Sequence, residues 1–357
     1  MKVLYAIQGT GNGHLSRALE IVPILHKKCQ LDILVSGCQA DLILPFDVKY
    51  RFHGLSFIFG KKGGVDFVET FSQLETRSFY DQARQLPVED YDLIISDFEP
   101  ISAWACSFKK KPCVALSHQA AVIDPNAPHP KKEDRLGKLI LQYYAPATAY
   151  YGFHFQRFSP DTFTPVIRAQ VRELEPTNQG HYTVYLPAYA DELLLKKLSK
   201  FQEVRWEVFS KHNRLPIRQG NIEIKPIDNE LFIKSMASSA GVLCGAGFET
   251  PAEALYLGKK LLVVPMKRQY EQHCNAAALA SMGVPVVKNL KPKNLPKIAE
   301  WLHEGPVIPV DYPDKTEQIL DRILAGDYQM KAEKPKKGSF RQKWHEAIMP
   351  SLRAFFV

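Results

Sequence analysis

The 357-residue chain has no run of about 18 or more apolar residues, so a membrane-spanning helix is not expected. Nor does it open like an export signal: residues 1–6 enter a strand directly and meet polar, glycine-rich sequence by Gln8. The six cysteines, Cys29, Cys38, Cys106, Cys113, Cys244 and Cys274, form no C-x-x-C pair. Their mostly apolar surroundings read as reduced core residues of a cytoplasmic protein. No helix-turn-helix, zinc-finger or RNA-binding aromatic signature accompanies the net charge of +8, and the basic residues are scattered in short pairs. Nucleic acid is therefore not an expected partner. There is also no internal repeat of solenoid period.

What is present is ordinary globular composition, 24% charged and 45% hydrophobic, with length enough for two domains. Residues 3–8 read as a buried strand, 15–27 as a helix and 31–36 as the next strand, with Gly9-Thr10-Gly11-Asn12-Gly13-His14 at the first turn. This is a βαβ unit, but its turn is G-x-G-x-G-H rather than G-x-G-x-x-G, so NAD binding is not supported. Residues 48–53, 91–96, 114–116, 147–153 and 164–167 are further candidate strands, and 67–86 and 133–144 candidate helices. Ligands of open parallel sheets lie at the carboxyl ends of the strands. That rule puts Asp97 and Glu99, after the strand at 91–96, and His118, after that at 114–116, on a cleft. The competing readings are a helix cap and a satisfied loop histidine.

The polar stretch 172–180 marks a domain boundary, giving expected domains at 1–168 and 169–330. Beyond the lysine-rich link, Phe340, Trp344, Ile348, Leu352 and Phe356 recur every four residues in a terminal segment, 331–357. The most informative stretch is 241–282. A buried strand at 241–244 stops at Gly245-Ala246-Gly247, and a helix follows over 248–257, with Pro251 in its first turn and Gly258 at its end. The free N–H groups at Phe248, Glu249 and Thr250 would hold a phosphate. Glu253, one turn later, would accept hydrogen bonds from a ribose diol. After the strand at 260–264 a loop places Arg268, Gln269, Glu271 and Gln272 where side chains can face a sugar.

The order strand, G-x-G, T-P-x-E-A at 250–254, G-K-x-L-L-V-V-P at 258–265 and Q-x-E-Q-x-x-N-A at 269–276 resembles the donor half of GT-B glycosyltransferases. The family that adds N-acetylglucosamine to the lipid-linked peptidoglycan precursor (family 28) and the UDP-glycosyltransferases are the nearest likenesses. The resemblance implies an α/β fold of two doubly wound, Rossmann-like domains facing each other across a cleft. Residues 1–168 would be the acceptor side, 169–330 the nucleotide-sugar side, and 331–357 a helix packing back on the first domain. It implies a UDP-sugar donor, inverting transfer, no metal and no separate cofactor, with the acceptor open between lipid-linked and small molecules.

Residue by residue, His14 matches the G-H pair of the catalytic base and Asp97 its partner acid. Gly11 and Gly13 would lie over the diphosphate, and Ile227 would contact the base through its backbone. The chain departs from its relatives at 187–190, where Pro-Ala-Tyr-Ala replaces a glycine-serine loop. The single-domain glycosyltransferase architecture is disfavoured, because Asp90-Tyr91-Asp92 precedes a hydrophobic strand instead of following one. Two other readings stay open: a UDP-sugar epimerase or hydrolase on the same fold, or a non-catalytic nucleotide-sugar-binding protein. Phe57-Ile58-Phe59 beside Lys61-Lys62, with the excess positive charge, suggests peripheral contact with an anionic membrane, and a simple β-hairpin is the rival reading.

Overall fold

The computed structural model describes residues 1–37, 44–53, 59–60, 64–65, 76–132 and 134–330. In chain order its strands are β1 (Lys2–Gln8), β2 (Gln30–Ser36), β3 (Tyr50–Phe52), β4 (Phe59–Gly60), β5 (Gly64–Val65), β6 (Leu93–Asp97), β7 (Val114–Ser117), β8 (Ala149–Phe153) and β9 (Thr162–Phe163). There follow β10 (His181–Tyr185), β11 (Arg205–Ser210), β12 (Ile217–Gln219), β13 (Ile222–Pro226), β14 (Gly241–Gly245) and β15 (Lys260–Val264). The helices are α1 (Asn12–Lys28), α2 (Thr76–Gln85), α3 (Pro100–Lys109), α4 (His118–Val122), α5 (Arg135–Tyr143) and α6 (Ala169–Arg172). Then come α7 (Asp191–Leu198), α8 (Asn229–Ser238), α9 (Glu249–Tyr256), α10 (Tyr270–Ser281), α11 (Leu295–Glu304) and α12 (Thr316–Leu324).

Among the described residues, seven strands make a parallel sheet in the order β3-β2-β1-β6-β7-β8-β9. Six make a second, β12-β13-β11-β10-β14-β15, parallel except for the exposed edge strand β12. Both are doubly wound. Strands of such sheets are covered on both faces and read as unbroken apolar runs, which is why the segments around Leu4, Ile94, Leu243 and Leu262 were legible as strands. The order reverses between β1 and β6 in one sheet and between β10 and β14 in the other. These two switch points are where ligands of open α/β sheets bind.

The differences from expectation have local causes. The strand expected at 164–167 forms two residues earlier, as β9, because Pro165 has no N–H for the ladder. Helix α11 lies in a stretch that reads as proline-punctuated; its proline sits in the first turn, where the missing N–H costs little. One apolar cluster joins the two domains: Ile7, Tyr151, Phe153 and Phe155 of the first pack in the same core as Cys244, Ala246, Phe248 and Ala276 of the second. Helix α12 returns to the first sheet's layer, where Leu320 and Ile323 are buried in that cluster. There Lys28 Nζ bonds Glu317 at 2.8 Å and Asp321 at 2.7 Å.

β4 and β5 pair antiparallel, Phe59 with Val65 and Gly60 with Gly64. Residues 57, 58, 61 and 62 of the suggested membrane loop lie outside the described residues, as does the terminal segment 331–357. No helix among the described residues is long and apolar enough to cross a membrane.

Candidate active site

The register of β1 and β6 sets Ile7 beside Asp97, so the carboxyl ends of both strands open at the first switch point. From β1 the chain turns through Gly11, whose φ of 102° and ψ of 156° suit glycine alone, into α1. His14 lies in the first turn of that helix. Its Nδ1 is 2.8 Å from Asp97 Oδ1. Asp97 is fully buried and also takes Arg17 Nη2 on Oδ1 at 2.7 Å and Arg17 Nε on Oδ2 at 2.9 Å, with the Tyr5 hydroxyl 3.4 Å from Oδ2. Burial alone would raise the Asp97 carboxyl, but the charges of Arg17 and His14 outweigh it and hold it below its ordinary value. Burial, then the Asp97 charge, pushes the Tyr5 hydroxyl well up, so Tyr5 stays a neutral donor.

Two groups meet Nδ1: the Asp97 carboxylate, which favours the proton there, and Arg17 Nη2 at 3.1 Å, which favours a lone pair. The shorter Asp97 contact sets the tautomer that leaves the lone pair of His14 on Nε2. That nitrogen faces Gln119 Nε2 at 3.4 Å, while the same amide donates to Glu271 Oε2 at 3.0 Å. Between Asp97 and α3 the chain turns at Phe98, a non-glycine residue at φ 55°. This left-handed turn at the end of β6 costs energy and sits where the acid must be aimed.

The opposite wall is the second sheet's switch point. Gly245 and Gly247 are half-buried, and a Cβ on Gly247 would meet nothing within 4 Å, so there is room above the turn. Helix α9 starts with Glu249 and the half-buried Thr250. The Phe248 ring is buried and stacks on His118 with centroids 3.9 Å apart, while its backbone precedes the free N–H groups of the helix. Glu249 Oε1 accepts from Arg17 Nη1 at 2.8 Å, and a Cβ on Gly13 would lie 2.5 Å from Glu249 Oε2. The glycine turn of the first domain and the helix N-terminus of the second are therefore in contact, bridged by one guanidinium.

Several expected ligands are engaged elsewhere. Glu99 is fully buried and caps α3: its oxygens accept from Ile101 N at 2.7 Å, Ser102 N at 2.6 Å and Ser36 Oγ at 2.6 Å. It is a helix cap rather than a substrate ligand, because a Pro at the next position and free N–H groups beyond it call for one. His118 is the satisfied histidine: Nδ1 faces the Phe153 carbonyl at 2.8 Å and Nε2 faces Asn275 Oδ1 at 2.7 Å, tying the domains together. Burial pushes its imidazole below the ordinary value, against the pull of Glu271.

Glu253, expected on a ribose, is 2% exposed and holds Arg168 in a fork, with Nε at 2.5 Å from Oε1 and Nη2 at 2.8 Å from Oε2. Burial raises its carboxyl, and Arg168 pulls against that. Glu253→Ala is thus expected first of all to cost stability, about 1.5–3 kcal/mol for hydrogen bonds to a charged group. Urea denaturation measures it, and unchanged stability with weakened nucleotide binding would restore the ribose role.

Gln272 Oε1 accepts from Met266 N at 2.9 Å and closes the loop before α10. Arg268 is exposed on that loop, in a left-handed conformation at φ 63°. Ile227 is 38% exposed at the carboxyl end of β13, next to Asp228, which caps α8. Gln269 Oε1 and Gln119 Oε1 are both buried without a hydrogen-bond partner, two acceptors on segments that flank Glu271. Sequence reasoning missed Arg17, Gln119, Asn275 and Arg168. Only Arg17 carried a signal, since it follows His14 by three residues and shares its helix face.

A family model described as glycosyl transferase family 1 matches residues 1–306. No curated protein sequence matches the chain. Among solved structures, Acinetobacter baumannii MurG is similar at a TM-score of 0.55 and 16% identity, over 91% of this chain and 99% of that one. Phytolacca americana UGT2, complexed with UDP-2-fluoro-glucose and pterostilbene, gives 0.53 and 14%, over 93% and 91%. Streptomyces sp. SF2575 SsfS6, complexed with thymidine diphosphate, gives 0.54 and 12%, over 91% and 100%. At such identities the likeness is one of fold.

Proposed function

The chain belongs to glycosyl transferase family 1, and from that premise we propose an inverting transfer of a sugar from a UDP-sugar to an acceptor hydroxyl, without a metal. The observation that carries this reading is the His14–Asp97 pair at 2.8 Å, set at one switch point and facing α9 at the other. An acceptor hydroxyl beside His14 Nε2 gives up its proton to that lone pair as its oxygen bonds the anomeric carbon. The bond from that carbon to the phosphate oxygen breaks, and its electron pair leaves with the nucleoside diphosphate. Asp97 holds the tautomer and stabilises the imidazolium. The N-terminus of α9, beside Gly245 and Gly247, offers N–H groups and positive dipole to the phosphates.

The unpartnered acceptors Gln119 Oε1 and Gln269 Oε1 suit hydroxyl donors such as those of a sugar. UDP is favoured over thymidine diphosphate by the likeness of the 245–276 order to UDP-sugar enzymes; proteins of this fold are found in complexes with UDP-2-fluoro-glucose and with thymidine diphosphate. Mass spectrometry of incubations with UDP- and thymidine-diphosphate-sugars, offered lipid-linked and small-molecule acceptors, tests the reading. A glycosylated acceptor and free nucleoside diphosphate are expected. Release of diphosphate with free sugar in the presence of every acceptor would assign hydrolysis instead, and an isomerised sugar an epimerase.

A further inference from the structure

Resting on the donor reading above, we propose that Arg17 is the cation that takes the charge of the departing diphosphate, and that the Glu249 carboxylate competes for it. Arg17 is buried, and its guanidinium divides its donors: Nε and Nη2 serve Asp97, with Nη2 also 3.1 Å from His14 Nδ1, whereas Nη1 serves Glu249. The two carboxylates differ in freedom. The Asp97 side chain is wholly buried, with His14 and Tyr5 also upon it, while that of Glu249 is 28% exposed and can swing toward solvent. Only the Nη1 partner is exchangeable.

The position that Glu249 fills is one where an anion is held. Its carboxylate lies against the Gly13 turn, in the first turn of α9, and on Arg17 Nη1. A phosphate oxygen on the same group would keep the guanidinium doubly paired and would receive the electron pair released when the anomeric bond breaks. A guanidinium suits that step because its planar fork can bond two oxyanions at once, and it stays charged at any working pH. The side chain already fastened to Asp97 would then join the base and the leaving group. Arg268, the cation that the sequence placed on a loop able to face a sugar, is exposed by contrast.

The test is calorimetry of UDP, thymidine diphosphate and uridine with the wild type and Glu249→Gln, which leaves the Arg17–Asp97 fork in place. Removing the competing charge is expected to tighten diphosphate binding roughly tenfold, the scale of one charge-assisted hydrogen bond, with uridine binding unchanged. Arg17→Lys, which keeps the charge without the fork, should weaken the diphosphate and lower kcat while uridine again stays the same. Unchanged or weaker diphosphate binding by Glu249→Gln, when the wild type binds, overturns the inference alone. A wild type that binds neither diphosphate overturns the donor reading and the inference with it.

Discussion

His14→Ala is expected to lower turnover by roughly 10²–10⁴-fold, the usual contribution of a positioned general base, while UDP affinity stays nearly intact. The expectation rests on where the ring points. Nδ1 is engaged by Asp97 and Nε2 faces the Gln119 amide at 3.4 Å, a long contact that an incoming hydroxyl can replace, and neither nitrogen bonds α9. The ring is also held parallel to Phe98, with centroids 6.4 Å apart, which limits the orientations it can take. Single-turnover kinetics separates chemistry from binding. Turnover that survives while UDP affinity collapses would make His14 a phosphate ligand. Glu99 cannot then inherit the base role, since its oxygens are occupied in capping α3.

Asp97→Ala should remove both stability and activity. Three groups converge on this carboxylate, and without it the buried Arg17 loses the anion on its Nε and Nη2 and keeps the Glu249 carboxylate on Nη1; breaking a buried pair in this way costs about 3–5 kcal/mol. The loss carries a pH signature. The Asp97 carboxyl is held lower in the folded protein than in the unfolded chain, so its contribution is fully present above the unfolded value, about 3.9, and disappears as pH falls through the lower folded value. Wild type should therefore lose stability relative to the variant on going into acid below about pH 4. Urea denaturation at neutral and acid pH measures both effects. A neutral-pH cost under about 1 kcal/mol, the scale of an exposed pair, would mean that Asp97 is not the anchor of Arg17.

The strands that carry the site were legible because a doubly covered parallel strand is an apolar run and each turn after it has its own composition. Gly11 and Pro251 mark their places in the same way, through a conformation or a missing donor that belongs to one residue. His14 and Asp97 were reachable too: each ends a strand–turn unit, and the rule that ligands gather at carboxyl ends needs only the strand directions.

What side chains do once the sheets are assembled was decided by the tertiary structure. Arg17 meets Asp97 across 80 residues, Arg168 meets Glu253 across 85 and His118 meets Asn275 across 157. Those distances along the chain are far beyond the reach of a helical or strand period, which reports only neighbours within a turn or two. Strand order and the closure of one domain on the other choose the partners. Each buried charge or polar group must then find its counterpart within that geometry, which is why Glu253 went to an arginine and Glu99 to a helix end.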